Sequence, residues 1–198
     1  MKLKWLFLFF ILGFPVSIYL FLQGFGDNQF DVEVFYKTGI NQPIGGCQKT
    51  TEQFRVPNYN QYDSSFDDSI EGVVVYDLGT PNCDSCQFKI NNLMSLSDKF
   101  RKWSDLKIFS IVNSAQTGIY PNSSANWKVV TNTQNTLLEF ARCGLNIEIS
   151  AIKGNRITKN GVVVLVDQQQ RIRGYYNVFD RKESDRLGVE LEILRIEK

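Results

Sequence analysis

The sequence predicts an α/β domain, in which a central mixed sheet is flanked by helices, set behind an apolar N-terminal segment. Three observations carry that expectation. Val73 to Tyr76 form a continuous apolar run, as a strand covered on both faces requires. The stretch PNCDSCQFKINNLMSLSDKF, Pro81 to Phe100, then changes to a helical pattern reaching Trp103, with Phe88, Leu93, Leu96 and Phe100 on one broad stripe. LKIFSIVNS, Leu106 to Ser114, supplies a second buried strand. Strand, helix and strand in that order make the two strands parallel, joined by a right-handed crossover.

The flanking segments complete the pattern. FDVEVFY, Phe30 to Tyr36, alternates apolar and polar residues like a short strand. NQPIGG brings turn signals before Cys47, and FRVPNYNQYDSSFDDS has the composition of irregular backbone. Residues 27–69 therefore read as an extension lying against a domain that spans 70–198. After the second core strand, TGIYPNSSANW reads as a long loop, with Trp103 and Trp127 as packing residues. TNTQNTLLEFARCGL makes a helix with Thr131 or Thr133 as N-cap and Gly144 as its stop. Gly161 to Val166 form another strand, DQQQ a tight turn and RIRGYYNV the hairpin partner. In the closing DRKESDRLGVELEILRIEK, Asp180 is the N-cap and Leu187, Leu191 and Leu194 share the face that meets the sheet. This order is the layout of a thioredoxin-like fold, with a cysteine pair where the first core strand gives way to a helix.

Composition narrows the chemistry. The 198 residues suffice for one domain of moderate size and an appendage. With 22 basic against 21 acidic residues there is no net field to hold a polyanion, which argues against nucleic acid as a partner. Histidine is absent, which excludes serine-histidine and cysteine-histidine hydrolases together with the usual haem and His-containing zinc sites. The reactive side chains left are Cys47, Cys83, Cys86 and Cys143.

The first 26 residues set the compartment. Lys2 and Lys4 precede a stretch that carries no charge from Trp5 to Gly26. Trp5 to Leu22 as a helix would span roughly 27 Å, near the hydrocarbon thickness of a bilayer. The lysines keep the N-terminus in the cytoplasm by the positive-inside rule and place the rest in the periplasm or its equivalent. A cleaved signal peptide ending at Gly24-Phe25-Gly26 is the other reading of these residues, and it also exports the domain. Either way the cysteines meet an oxidising compartment.

At the mouth of a helix, unpaired N–H groups stabilise a thiolate, so Cys83 is a candidate nucleophile, moderated by the negative charge of Asp84. Cys86, one turn on, is placed to resolve a mixed disulfide or to share a soft metal ion such as Cu(I) with Cys83. A four-cysteine zinc site fits poorly, because Cys47 and Cys143 lack paired spacing. A disulfide between Cys47 and Cys143 is the simplest use of that second pair and would tie the extension to the core; three pairings of four cysteines are open from sequence alone.

Three blocks resemble the Sco/SenC family, membrane-anchored thioredoxin-like proteins associated with assembly of the cytochrome c oxidase copper site. They are YDLGTPNCDSCQFKINNLMSLSDKF, WKVVTNTQNTLLEFARCGL and VVVLVDQQQRIRGYYNVFDRKESDRLGVELEIL, and the similarity runs from Phe54 to Glu197. The family's cysteines have three residues between them and are joined by a histidine shortly before the LVD strand. Here two residues separate Cys83 from Cys86, and the corresponding position is Lys159. Only Cys83 and Cys86 match as functional positions. If Lys159 lies near the cysteines, as the resemblance implies, its charge would stabilise a thiolate and repel Cu(I).

The resulting expectation is a membrane-tethered, extracytoplasmic domain exchanging disulfides with envelope partner proteins, Cys83 attacking and Cys86 resolving, with no cofactor required. Two alternatives stand beside it. One is a Cu(I)-binding assembly factor for a cytochrome c oxidase subunit, with Cys83 and Cys86 as metal ligands. The other is a non-catalytic binding module on the same fold.

Overall fold

The computed structural model describes residues 2–25, 31–64, 66, 71–79, 86–113, 120, 124–147, 151–152, 156–157 and 161–197, with backbone alone for 2–9, 22, 24, 25, 113, 134, 151, 152, 156 and 157. The chain divides into two compact units, Met1–Asp31 and Val32–Lys198. In the first, helix α1 covers Lys2–Phe25 with Pro15 inside it, and Ser17 Oγ donates to Gly13 O at 2.8 Å. Among the described residues no helix is long and apolar enough to cross a membrane.

The second unit is built on a five-stranded mixed sheet. Its strands are β1 (Val73–Leu78), β2 (Leu106–Asn113), β3 (Trp127–Asn132), β6 (Val162–Val166) and β7 (Ile172–Asn177), in the order β3-β2-β1-β6-β7. β1 pairs in parallel with β2, and β2 with β3, while β6 runs antiparallel to both β1 and β7. β1 is central, and all six of its residues are buried, as the apolar run requires. A separate antiparallel pair joins β4 (Ala151–Ile152) to β5 (Arg156–Ile157).

Alternation along β1 divides the core. Val73 and Val75 face the layer made by α2 (Cys86–Lys99) and α4 (Arg181–Ile196), which contribute Ile90, Leu93, Leu187 and Leu191. Val74 and Tyr76 face the other layer. There α3 (Gln134–Glu139) and the turn after it supply Leu137 and Phe140, and the extension supplies Ile40, Phe54, Val56 and Tyr59. The extension thus closes one face of the sheet.

Several local outcomes differ from the sequence reading. Residues 31–36 form no strand: Phe35 N donates to Ile172 O at 2.9 Å, but the chain then turns at Tyr36, whose φ is 53°, before a ladder can form. Trp127–Asn132 is a strand that the sequence reading does not contain: Trp127 falls at the end of its loop, Thr131 and Asn132 at the start of its helix segment, and residues 128–130 have no assignment. Its burial alternates weakly because it is an edge, so the period-two signal fades. Thr131 lies in that strand, and Thr133 is the N-cap, its side chain accepting from Thr136 N. The helix it starts ends at Glu139 and passes into a π-helical turn, Phe140–Gly144. A Cβ at Gly144 would stand 2.6 Å from the Phe140 ring, so glycine is required there. Phe88 does not share the buried stripe of α2 and is 47% exposed, because it sits about 160° round the helix from Ile90. The stripe is Cys86, Lys89, Ile90, Leu93, Leu96 and Ser97, and α2 stops at Lys99, ahead of Trp103.

Candidate functional site

The site lies where β1 ends and α2 begins, at the carboxyl end of parallel strands, the usual location of sites in sheets of this kind. Gly79 N donates to Ile111 O at 2.7 Å, which holds the end of β1 against β2. Cys86 is the first described residue of α2, is 4% exposed and is disulfide-bonded. Cys83, Asp84 and Lys159 lie outside the described residues.

Beneath Cys86 is a buried charge network. Lys89, one turn along α2, and Asp77 of β1 are both fully buried, and Lys89 Nζ stands 2.7 Å from Asp77 Oδ1. Asp77 Oδ2 accepts from Ser110 Oγ at 2.8 Å and from Tyr120 OH at 3.1 Å. Ser110 Oγ is itself oriented by Trp127 Nε1, which donates to it at 3.0 Å. Lys89 Nζ also reaches Leu78 O at 3.4 Å and lies 5.5 Å from the centre of the Tyr120 ring. Burial, then the neighbouring Asp77 carboxylate, pushes the Tyr120 hydroxyl far above its ordinary value, so Tyr120 remains a neutral donor.

Removing two charges from water costs several kcal/mol for each ion, and the close pair with its accessory hydrogen bonds offsets that cost. One assembly therefore ties β1, α2, β2, β3 and the connection carrying Tyr120 together under the cysteine. Sequence reasoning passed over Asp77, Lys89, Ser110 and Tyr120. The signal was present: Asp77 interrupts an apolar strand, and Lys89 falls three residues after Cys86 and one before Ile90, inside the buried stripe of α2.

Cys47 and Cys143 are bonded to each other, with Cα atoms 5.3 Å apart. The bridge joins the extension to the π-helical turn that follows α3. As for a metal, no group of three or more Cys, Asp or Glu gathers to hold one among the described residues. The chain has no imidazole to offer, and the sulfur of Cys86 is in a disulfide, so in this state it is not the thiolate that Cu(I) requires.

A five-stranded mixed sheet with helices on both faces fits a thioredoxin-like α/β fold. Two solved structures show this fold. One is BsSco, described as a member of the Sco family of cytochrome c oxidase assembly proteins with a disulfide switch; it is 19% identical over 66% of this chain and 84% of that one, with a TM-score of 0.53. The other is a SCO1/SenC family lipoprotein from Bacillus anthracis str. Ames, 14% identical over 85% of this chain and 96% of that one, also with a TM-score of 0.53. The Sco/SenC resemblance of the sequence is thus matched in fold. No family model matches the chain, and neither does any curated protein sequence.

Proposed function

We propose that this protein exchanges disulfides with partner proteins through Cys83 and Cys86, and that Cys83 is the disulfide partner of Cys86. The observation that carries the reading is the disulfide-bonded Cys86 on α2, one turn before the Lys89 of a buried ion pair. In the reduced form the Cys83 thiolate attacks one sulfur of the partner's disulfide, forming a mixed disulfide and releasing one partner thiolate. Cys86 loses its proton and attacks the Cys83 sulfur, which releases the second partner thiol and regenerates the internal disulfide. Two electrons pass to the partner and the pair is oxidised; the reverse sequence oxidises a partner dithiol. Burial of Cys86 suits the resolving role, since it keeps a partner's sulfur from reaching Cys86 directly.

We place the domain outside the cytoplasm, with the uncharged N-terminal stretch of the sequence as its attachment to the membrane. The two lysines before an uncharged stretch support that orientation, and an oxidising compartment supports a domain whose described cysteines are all in disulfides. Expression of Cys86→Ser in cells tests both statements. Attack persists while resolution fails, so mixed disulfides accumulate, and Cys83→Ser traps none. Trapped envelope proteins support export, whereas cytoplasmic ones remove it. Equal trapping by Cys83→Ser sinks the exchange reading. Copper assembly is the competing function, and there the two substitutions behave alike, each abolishing Cu(I) retention by the reduced protein.

A further inference from the structure

A cleft of about 380 Å³ runs between α2 and α4 on the outer side of the domain, a volume within the range of ligand clefts. On α2 its wall is the line Phe88, Asn92, Ser95 and Lys99, spaced four, three and four residues apart, so these side chains share one helix face. On α4 it is Arg181, Ser184, Asp185 and Gly188, again one face. Asn92 Nδ2 donates to Val178 O just before α4, and Lys99 Nζ pairs with Glu192 further along it, so the two helices run in the same sense. The cleft therefore starts at the cysteine end of α2, with Phe88 two residues past Cys86.

Two features show that the chain leaves this space open. Phe88 is 47% exposed and turns its ring to the cleft instead of the core. Gly188 sits in the middle of α4, yet a Cβ there would meet only Lys99 Nζ, at 3.8 Å. Packing within the protein does not demand glycine, and glycine is a poor helix former. A side chain would instead narrow the cleft.

The charges indicate the occupant. The lining carries two cations, Lys99 and Arg181, against one acid, Asp185. Their internal pairs are loose: Arg181 Nε lies 4.0 Å from Asp185 with the side chain 90% exposed, and Lys99 Nζ lies 3.6 Å from Glu192 with the side chain 53% exposed. From Phe88 to Lys99 is about 16 Å along the helix, the length of roughly five residues of extended chain. We propose that this cleft docks an acidic segment of the protein whose disulfide the cysteine pair exchanges, an apolar side chain lying on Phe88 and carboxylates reaching Lys99 and Arg181. The proposal rests on the exchange reading for the identity of the partner.

Two fluorescent synthetic peptides test it, each carrying serine in place of cysteine, then leucine, and then three glutamates or three lysines. Anisotropy titration of the full chain in detergent should show the acidic peptide binding about tenfold more tightly than the basic one. Lys99→Glu/Arg181→Glu should reverse the preference, and Gly188→Met should weaken the acidic peptide about tenfold by filling the cleft. Equal affinity for the two peptides, or a preference unmoved by the charge reversal, overturns the proposal. Exchange with bis(2-hydroxyethyl) disulfide, which has no chain to dock, reports separately on the exchange reading. Its absence in the unaltered protein sinks that reading while the peptide preference still decides the cleft.

Discussion

Asp77 and Lys89 occupy positions that the fold otherwise gives to apolar side chains, and each is tolerable only because the other is there. A buried ion pair need not stabilise a protein relative to well-packed apolar residues, but removal of one partner leaves an uncompensated charge. Asp77→Asn should therefore cost about 3–5 kcal/mol in urea unfolding, and Lys89→Met a similar amount. Together the two substitutions should cost clearly less than the sum, since no stranded charge remains and the amide oxygen introduced at position 77 can still accept from Ser110 and Tyr120. Additive losses would show that the two groups do not act as a pair. The pair also illustrates what sequence patterning conceals. A charged residue in an apolar run is usually taken for a rim position, and only the meeting of β1 with α2 reveals that Asp77 and Lys89 cancel each other.

Elements were legible in proportion to how completely they are buried. β1, β2 and the β6–β7 hairpin have interiors on both faces or a turn of fixed chemistry, so continuous apolar runs and the Asp167 turn announce them. In that turn Asp167 Oδ1 accepts from the N–H groups of Gln169 and Arg171, each at 2.9 Å. The edge strand β3 is half-buried, and the stretch before it has no period, so Trp127–Asn132 went unread. α2 was found but its stripe was drawn through Phe88, because hydrophobicity alone does not say which way a helix is turned. Cys86 was equally plain, while the network next to it depends on contacts between residues 11 to 43 positions apart. α4 carries the corresponding prediction. Gly188→Ala places a methyl group where its nearest neighbour would be 3.8 Å away and removes the helix cost of glycine. The substitution should stabilise the domain by about 0.5–1 kcal/mol in urea unfolding, and a loss of stability instead would mean that α4 uses the freedom of glycine at this position.

For the second unit as a whole, the question is what holds an irregular extension onto a regular sheet. Apolar burial of Ile40, Phe54, Val56 and Tyr59 supplies one part, and the Cys47–Cys143 bridge, which spans a sequence separation of 96, supplies another. The third part is electrostatic. Arg173, 3% exposed, donates through Nη2 to Val32 O at 2.6 Å and to Glu197 Oε2 at 3.0 Å, and through Nη1 to Asp167 Oδ2 at 3.0 Å. One guanidinium thus joins the start of the extension, the hairpin turn and the end of α4. Burial alone would push the Asp167 carboxyl up, but the hydrogen bonds from Arg171 and Arg173 and the charge of Arg171 outweigh it and hold the carboxyl below its ordinary value of 3.8. A folded value below the unfolded one means that the unfolded chain binds the extra proton. The stabilisation is therefore complete above about pH 5 and is lost as the pH falls through 3.8 towards the lower folded value. Asp167→Asn should lower stability at pH 7 and flatten its decline between pH 5 and pH 2, so that variant and parent converge in acid, as urea unfolding across that range would record. Parallel curves, with the same deficit at pH 2 as at pH 7, would assign the loss to the turn hydrogen bonds and not to the carboxylate charge that Arg171 and Arg173 face.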